Sequence, residues 1–220
     1  MSDRVLRDAV SIGLATGIYA VSFGVLSVAA GFSVAQTCVM SLVTFTGASQ
    51  LTFVSVLGAG GTAAAALPPA LLLAGRNTIY ALSLKSVLRG GPLRQAVDAH
   101  LVIDESTAMA HAQRDPRDKR RAFLLTAVAI FITWNLGTLL GAVAGGGIGD
   151  PRDYGLDAIF PAIFLALLVP QVRDRSALGA AVLGAAIAFV LLPLAPAGVP
   201  VMAAALGCVP FLLLRRAAAR

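Results

Sequence analysis

Seven apolar runs, near 9–31, 35–57, 63–84, 122–145, 156–172, 177–195 and 199–214, follow one another with a single long polar interruption at 85–121. Runs of about 20 apolar residues match the hydrocarbon thickness of a bilayer. Inside lipid no water pairs with the backbone, so each run must satisfy its own N–H and C=O groups, as a helix does. The expected fold is all-α, a polytopic membrane bundle of about seven spans forming one domain over 1–220. Composition agrees: 58% of residues are hydrophobic and 13% charged, and the mean hydropathy of +0.84 is too high for a soluble domain of this size. The run at 9–32 is longer than a signal-peptide core and reads as a retained span.

The net charge of +6 comes from short basic groups flanking apolar runs, which positive-inside topology explains without nucleic acid. Lys85, Arg89, Arg94, Arg114, Arg117, Lys119, Arg120 and Arg121 make 85–121 the expected cytoplasmic loop. Alternating spans then bring Arg173, Arg175 and the C-terminal Arg215, Arg216 and Arg220 to the same side. Counting back through three spans predicts an outside N-terminus, although Arg4 and Arg7 argue locally for inside. A re-entrant segment among the first three runs reverses that count. Ser22-Phe23-Gly24-Val25-Leu26 and Asn135-Leu136-Gly137-Thr138-Leu139 form a weak internal echo. It suggests a 3+3 inverted repeat plus one helix, as in many secondary transporters.

Within the apolar runs, Arg76 and Asn77 are the costliest residues. An arginine at that depth costs roughly 2.5–3.5 kcal/mol even on insertion scales and persists only when partnered or facing a hydrated space. Arg76, Tyr80 and Ser83 fall on one helical face. Arg76 either bonds helix-end carbonyls or binds a substrate carboxylate, which its planar fork suits. The second run carries Phe45-Thr46-Gly47-Ala48-Ser49-Gln50 at its centre. Thr44, Thr46, Ser49 and Gln50 surround that helix with polar groups, read either as interhelical hydrogen bonding or as an unwound, solute-binding midpoint.

Asp104 and Glu105 follow Leu101-Val102-Ile103 and read as a solvated helix surface or as proton acceptors near the inner mouth. Asp157, ahead of Pro161, is a helix cap or a third proton-coupling candidate. Gly137, Gly141 and Gly145 make one side of the fourth span smooth, and Gly13 and Gly17 do the same for the first. Trp134 reads as ordinary packing. Cys38 and Cys208 lie in apolar runs as packing residues, and His100 and His111 lack metal-ligand spacing, so neither a metal nor a cofactor is expected. No P-loop, dinucleotide fingerprint, HExxH or nucleophile elbow is present, which disfavours a pump or a hydrolase.

Taken in order, Met40-Ser41 before Phe45-x-Gly47-Ala48-x-Gln50, Arg76 with Tyr80-Ala81-Leu82-Ser83-Leu84, Asp104-Glu105-Ser106, Thr133-Trp134-x-x-Gly137-Thr138 and Gly155-Leu156-Asp157 before Pro161 resemble the AzlC family of branched-chain amino acid exporters. The resemblance runs from Gly13 to about Pro193. It implies proton-driven efflux of leucine, isoleucine, valine and often methionine across the plasma membrane, with a small AzlD-type membrane subunit as partner. The chain departs at Ala74, where the family often has asparagine, and carries Asn77 instead. A zwitterionic apolar solute needs a carboxylate partner, amine acceptors and an apolar pocket. Arg76 is the candidate for the first, Gln50 with midplane carbonyls for the second, and Phe45 and Phe53 for the third. Thr46, Gly47, Ser49, Asn77 and Tyr80 complete the candidate site. A passive channel and a non-transporting assembly subunit are the competing readings.

Overall fold

The computed structural model describes residues 2–147, 155, 158, 162, 165, 168, 169 and 172–218. Helices α1 (Ser2–Ala29), α2 (Val34–Thr44), α3 (Gly47–Gly58), α4 (Ala63–Ser83), α5 (Pro92–His100), α6 (Asp104–His111) and α7 (Pro116–Gly145) precede α8 (Arg175–Leu191) and α9 (Val199–Ala204). A single 3-10 turn (Ala205–Cys208) then leads into α10 (Val209–Ala218). No strand occurs among the described residues.

Local signals set the helix starts. Ser33 and Gln36 form a reciprocal capping box at α2, with bonds of 3.2 and 2.8 Å. Thr62 caps α4, Asp115 precedes Pro116 to cap α7, and Asp174 caps α8. α1 and α7, of 28 and 30 residues, measure about 42 and 45 Å at 1.5 Å per residue, enough to cross a bilayer.

These two long helices form the backbone of the bundle, and they run parallel. A Cβ on Gly13 would meet Ala129, one on Gly17 would meet Thr133, and the glycines of α7 answer in step, Gly141 against Val21 and Gly145 against Val25. Thr133 Oγ1 donates 2.6 Å across the seam to the Gly13 carbonyl. The smooth faces read from the two spans are therefore one interface. Its absence of side chains lets backbones approach closely, which is the main source of association between helices in lipid.

The parallel arrangement corrects two expectations. Inverted three-span repeats would make the echoing segments of α1 and α7 antiparallel, and they are not. It also puts the N-terminus at the same end of the bundle as 85–121, instead of the opposite end. The reason lies in the second apolar run, which breaks at Phe45-Thr46 and turns back. α2 descends along α7, with Ser41 beside Thr138 and Phe45 beside Phe131. α3 then returns so that Phe53 meets Phe32 and Gly58 faces Ala30, at the end of α1. Eleven and twelve residues give arms of about 16–18 Å, half a bilayer each. The segment at 35–57 is thus a re-entrant hairpin and does not span.

The polar connection at 85–121 is a second, shorter hairpin entering from the basic end. Asp98 on α5 receives a bidentate bond from Arg120 on α7, at 2.7 and 3.0 Å, while Arg120 also donates 3.0 Å to the Val87 carbonyl. Such a forked, charge-assisted pair fixes geometry strongly, and it anchors the hairpin base. Two residues further on, His100 sits against Phe45 and Phe131, with ring centroids 5.8 and 6.0 Å away. Leu101, Val102 and Ile103 are buried there, and the Ser106 hydroxyl accepts from the Ile103 N–H at 3.1 Å to pin the turn. α6 then descends parallel to α4, Asp104 level with Arg76 and His111 with Ser83. This stretch is not merely an external loop, because its apolar triplet packs into the core.

The turn after α8 rests on the start of α4, where Ala197 approaches Gly61 and Gly198 approaches Ala65. α9 and α10 return along α8, with Ala204 against Gly184 and Phe211 against Gly179. The chain thus ends at the basic end, the same side as 85–121, as charge placement suggested. The candidate span at 156–172 lies largely outside the described residues.

Candidate functional site

The site is built where the two hairpin tips meet. Breaking α2–α3 at Phe45-Thr46 exposes the N-terminus of α3, whose first N–H groups have no side-chain cap. Gly47 is required at that point: a Cβ there would lie 2.8 Å from the Trp134 ring. Across from it the α6 N-terminus carries Asp104 and Glu105. α4 contributes Arg76 and Asn77 from the side. Between them lies a cavity of about 50 Å³, lined by Phe45, Thr46, Gly47, Arg76, Asp104, Glu105 and their neighbours Thr16, Tyr19, Ala48, Leu51, Asn77, Ile103, Ile130 and Trp134.

Arg76 does not bond helix-end carbonyls. Its Nη1 pairs with Asp104 Oδ2 at 2.7 Å, the two side chains being 32% and 28% exposed, so both can be reached from the cavity. Its Nε and the Asn77 Oδ1 are buried without a partner. Buried polar atoms are ordinarily paired, and both of these residues line the cavity. Asp104 and Glu105 are not a solvated surface either. α6 is not a spanning segment, and burial pushes both carboxyls above their usual range, with Arg76 opposing the shift and the Asp104 charge adding to it at Glu105.

Gln50 has a different task from the expected one. It is 2% exposed. Its Nε2 donates to the Met40 carbonyl at 3.0 Å and to Thr44 Oγ1 at 2.9 Å, and Oε1 accepts from Trp134 Nε1 at 3.1 Å. The amide ties the end of α2 to Trp134 on α7, and Gln50 does not line the cavity. Gln50→Leu is therefore expected to destabilise the protein by roughly 1–3 kcal/mol, since it leaves the buried Trp134 N–H without its acceptor. Thermal unfolding of the purified protein checks this; an unchanged midpoint would return Gln50 to the solute site.

The remaining candidates divide. Ser49, whose hydroxyl lies 3.3 Å from Thr46 Oγ1, joins Gln50 and Phe53 on a separate outward groove of about 730 Å³ between α2, α3 and α4. Thr46 borders both spaces. Tyr80 packs on the core one turn past Arg76 and lines neither. Asp157 lies outside the described residues. Tyr19 and Trp134 were missed as site residues. Tyr19 and Phe23, four apart on α1, both lie against Trp134, at 5.7 and 6.1 Å between ring centroids; that aromatic spacing opposite a lone tryptophan was the available signal.

The family model for AzlC protein matches residues 11–148, a segment that holds both hairpins, the α1–α7 seam and every residue lining the cavity. The chain belongs to the AzlC family. Relatives of this AzlC protein are named as membrane proteins. An uncharacterized membrane protein of Archaeoglobus fulgidus is 32% identical over 184 residues, covering 82% of this chain and 80% of its own. The inner membrane protein YgaZ of Escherichia coli is 27% identical, with 78% and 74% covered. An uncharacterized membrane protein of Helicobacter pylori is 26% identical, with 87% and 86% covered. No solved structure matches the chain. Family membership gives this protein a role related to membrane transport.

Proposed function

We propose that this AzlC protein is a secondary transporter that exports branched-chain amino acids, and methionine with them, across the inner membrane, driven by the proton gradient and working with a small AzlD-type subunit. The observation that carries the reading is the meeting of two broken-helix tips at a cavity holding an ion pair and unpartnered polar atoms. Secondary transporters bind their solutes at such interruptions, where helix N-termini face the anionic group and free backbone lines a cavity. Arg76 and the open N-terminus of α3 suit a carboxylate, while Phe45, Leu51, Ile103 and Ile130 around them supply apolar contact.

The cavity of about 50 Å³ is small beside the roughly 300–1,000 Å³ of sites that enclose a small molecule. Passage of a solute as large as leucine then requires the hairpins to part, as alternating access demands. Arg4 and Arg7 join the basic groups of 85–121 at one end, which the positive-inside rule makes cytoplasmic, with both termini on that side.

Glu105 is the proton carrier in this scheme: burial makes it take up a proton more readily than an ordinary carboxylate. The test is efflux of labelled leucine, isoleucine, valine and methionine from preloaded cells, with and without the small subunit and with the gradient intact or collapsed. Gradient-dependent efflux that needs both chains is expected, and Glu105→Gln should exchange leucine while losing its response to the gradient. Efflux indifferent to the gradient would make the protein a channel, and none at all from inserted protein would remove these solutes.

A further inference from the structure

With Gln50 committed to the helix break, the site has a carboxylate partner and no evident ammonium partner. We infer that Asp104 is the ammonium subsite, and that the Arg76–Asp104 ion pair is a stand-in which a zwitterionic amino acid displaces by pairing with both halves. The inference rests on the transport reading above and adds to it the residue that holds the solute's ammonium and the contact that the solute replaces.

The geometry leads there in three steps. Arg76 and Asp104 come from separate units, α4 and the second hairpin, and they meet at 2.7 Å in the lining of the cavity. Neither residue has another salt bridge among the described residues, no hydrogen bond holds the Arg76 Nε, and beyond Arg76 the Asp104 carboxylate has a backbone N–H of its own turn. A charged pair in a space of low dielectric costs much to separate unless each half receives an equivalent partner. A ligand with one charge satisfies one half and strands the other. An α-amino acid satisfies both, its carboxylate taking the Arg76 fork and its ammonium the Asp104 oxygens. One ion pair breaks, two form, and the net charge is unchanged.

The same exchange couples binding to movement. Once the direct contact between α4 and α6 is replaced by a bound molecule, only the Ser83–His111 bond of 3.0 Å still joins their polar side chains. The second hairpin then keeps its packing on α7 and the first hairpin while losing its charged tie to α4, so it is α4 that is released from the tip. A ligand opens the site only through such preferential binding to the parted state.

The experiment is counterflow of labelled leucine in vesicles carrying the protein and its small subunit. Unlabelled leucine, 4-methylpentanoate, which lacks the ammonium, and 3-methylbutylamine, which lacks the carboxylate, are the competitors. In the unsubstituted protein each single-charge analogue should compete roughly ten- to a hundred-fold more weakly than leucine, the value of a charge-assisted bond lost at a desolvated site. Asp104→Asn should weaken leucine by a similar factor while leaving 4-methylpentanoate as good or better, because Arg76 is released from its rival. The preference between the two compounds then collapses, which a merely structural defect would not produce.

Should 4-methylpentanoate match leucine in the unsubstituted protein, or Asp104→Asn keep the original preference, the ammonium assignment is overturned while the transport reading stands. Absence of leucine exchange by the unsubstituted protein overturns both. The first comparison needs no variant, so poor folding of Asp104→Asn leaves the inference open to refutation.

Discussion

Gly141→Val is expected to remove most of the folded protein. A Cβ at that position would lie 2.7 Å from the carbonyl carbon of Val21 and 2.9 Å from its Cα, and on the facing helix a Cβ at Gly24 would lie 2.5 Å from the Ala142 nitrogen. These obstacles are backbone atoms, so no rotamer change relieves them and α1 and α7 must separate. Overpacking ordinarily costs about 1–3 kcal/mol, and a backbone clash along the longest seam of the bundle belongs at or above the upper value. For a chain of this length a loss of ~3 kcal/mol lowers the unfolding midpoint by roughly 6–12 °C. Gly75→Ala is the control. Nothing lies within 4 Å of a Cβ there, and replacing a mid-helix glycine favours the helix by about 1 kcal/mol. Thermal scans of both detergent-purified variants should move in opposite directions; equal behaviour would mean that α1 and α7 do not pack this way.

That seam shows what sequence reading could recover. Glycines at four-residue spacing on two spans announced two smooth faces, because a glycine row has one meaning in a lipid-embedded helix. Nothing in the spacing said that the faces belong to each other, or that the helices run parallel. Parallel packing depends on an odd number of crossings between them, and this follows from the turn at Phe45-Thr46, which leaves α4 alone to cross. A hydropathy window sees 35–57 as one apolar run of spanning length; only the tertiary contacts of Phe53 and Gly58 near the end of α1 reveal that it doubles back. The arginines at positions 4 and 7 lie at the same end of the bundle as the basic groups of 85–121, a placement that the count of spans missed because one segment does not cross.

The site was legible in its residue types more than in its roles. Arg76, Asn77, Thr46 and Gly47 stood out because polar or breaking residues in apolar runs carry a cost that must be offset. All four line the cavity. Gln50 stood out for the same reason, and its amide bonds Met40, Thr44 and Trp134 across the break. Distinguishing the two requires knowing which way the amide faces once the helix breaks. Asp104 and Glu105 looked solvated because 85–121 is polar on average. Their position is set by Leu101-Val102-Ile103, whose burial draws the α6 N-terminus into the bundle. An apolar triplet inside a charged connection was the overlooked signal for a re-entrant tip.

Arg76→Ala should abolish efflux and also lower stability, and a second substitution separates the two effects. Removing the guanidinium leaves Asp104 in a desolvated position without its 2.7 Å partner. Breaking one half of a fully buried pair costs about 3–5 kcal/mol, and the partial exposure here reduces that to roughly 2–3. Removing both charges is often close to neutral, so Arg76→Ala/Asp104→Ala should recover the unfolding midpoint to within about 1 kcal/mol of the unsubstituted protein. Efflux should not recover with it. A carboxylate without its forked partner loses charge-assisted bonds of about 1.5–3 kcal/mol each, a fall of roughly a hundred-fold or more when two are lost. Midpoints and initial efflux rates, normalised to the amount of protein in the membrane, give both readings from one set of strains. A double variant as unstable as the single one would show that Arg76 holds the fold through something other than Asp104. A double variant that exports leucine normally would place the solute elsewhere, and the outward groove beyond Thr46 would become the next site to block.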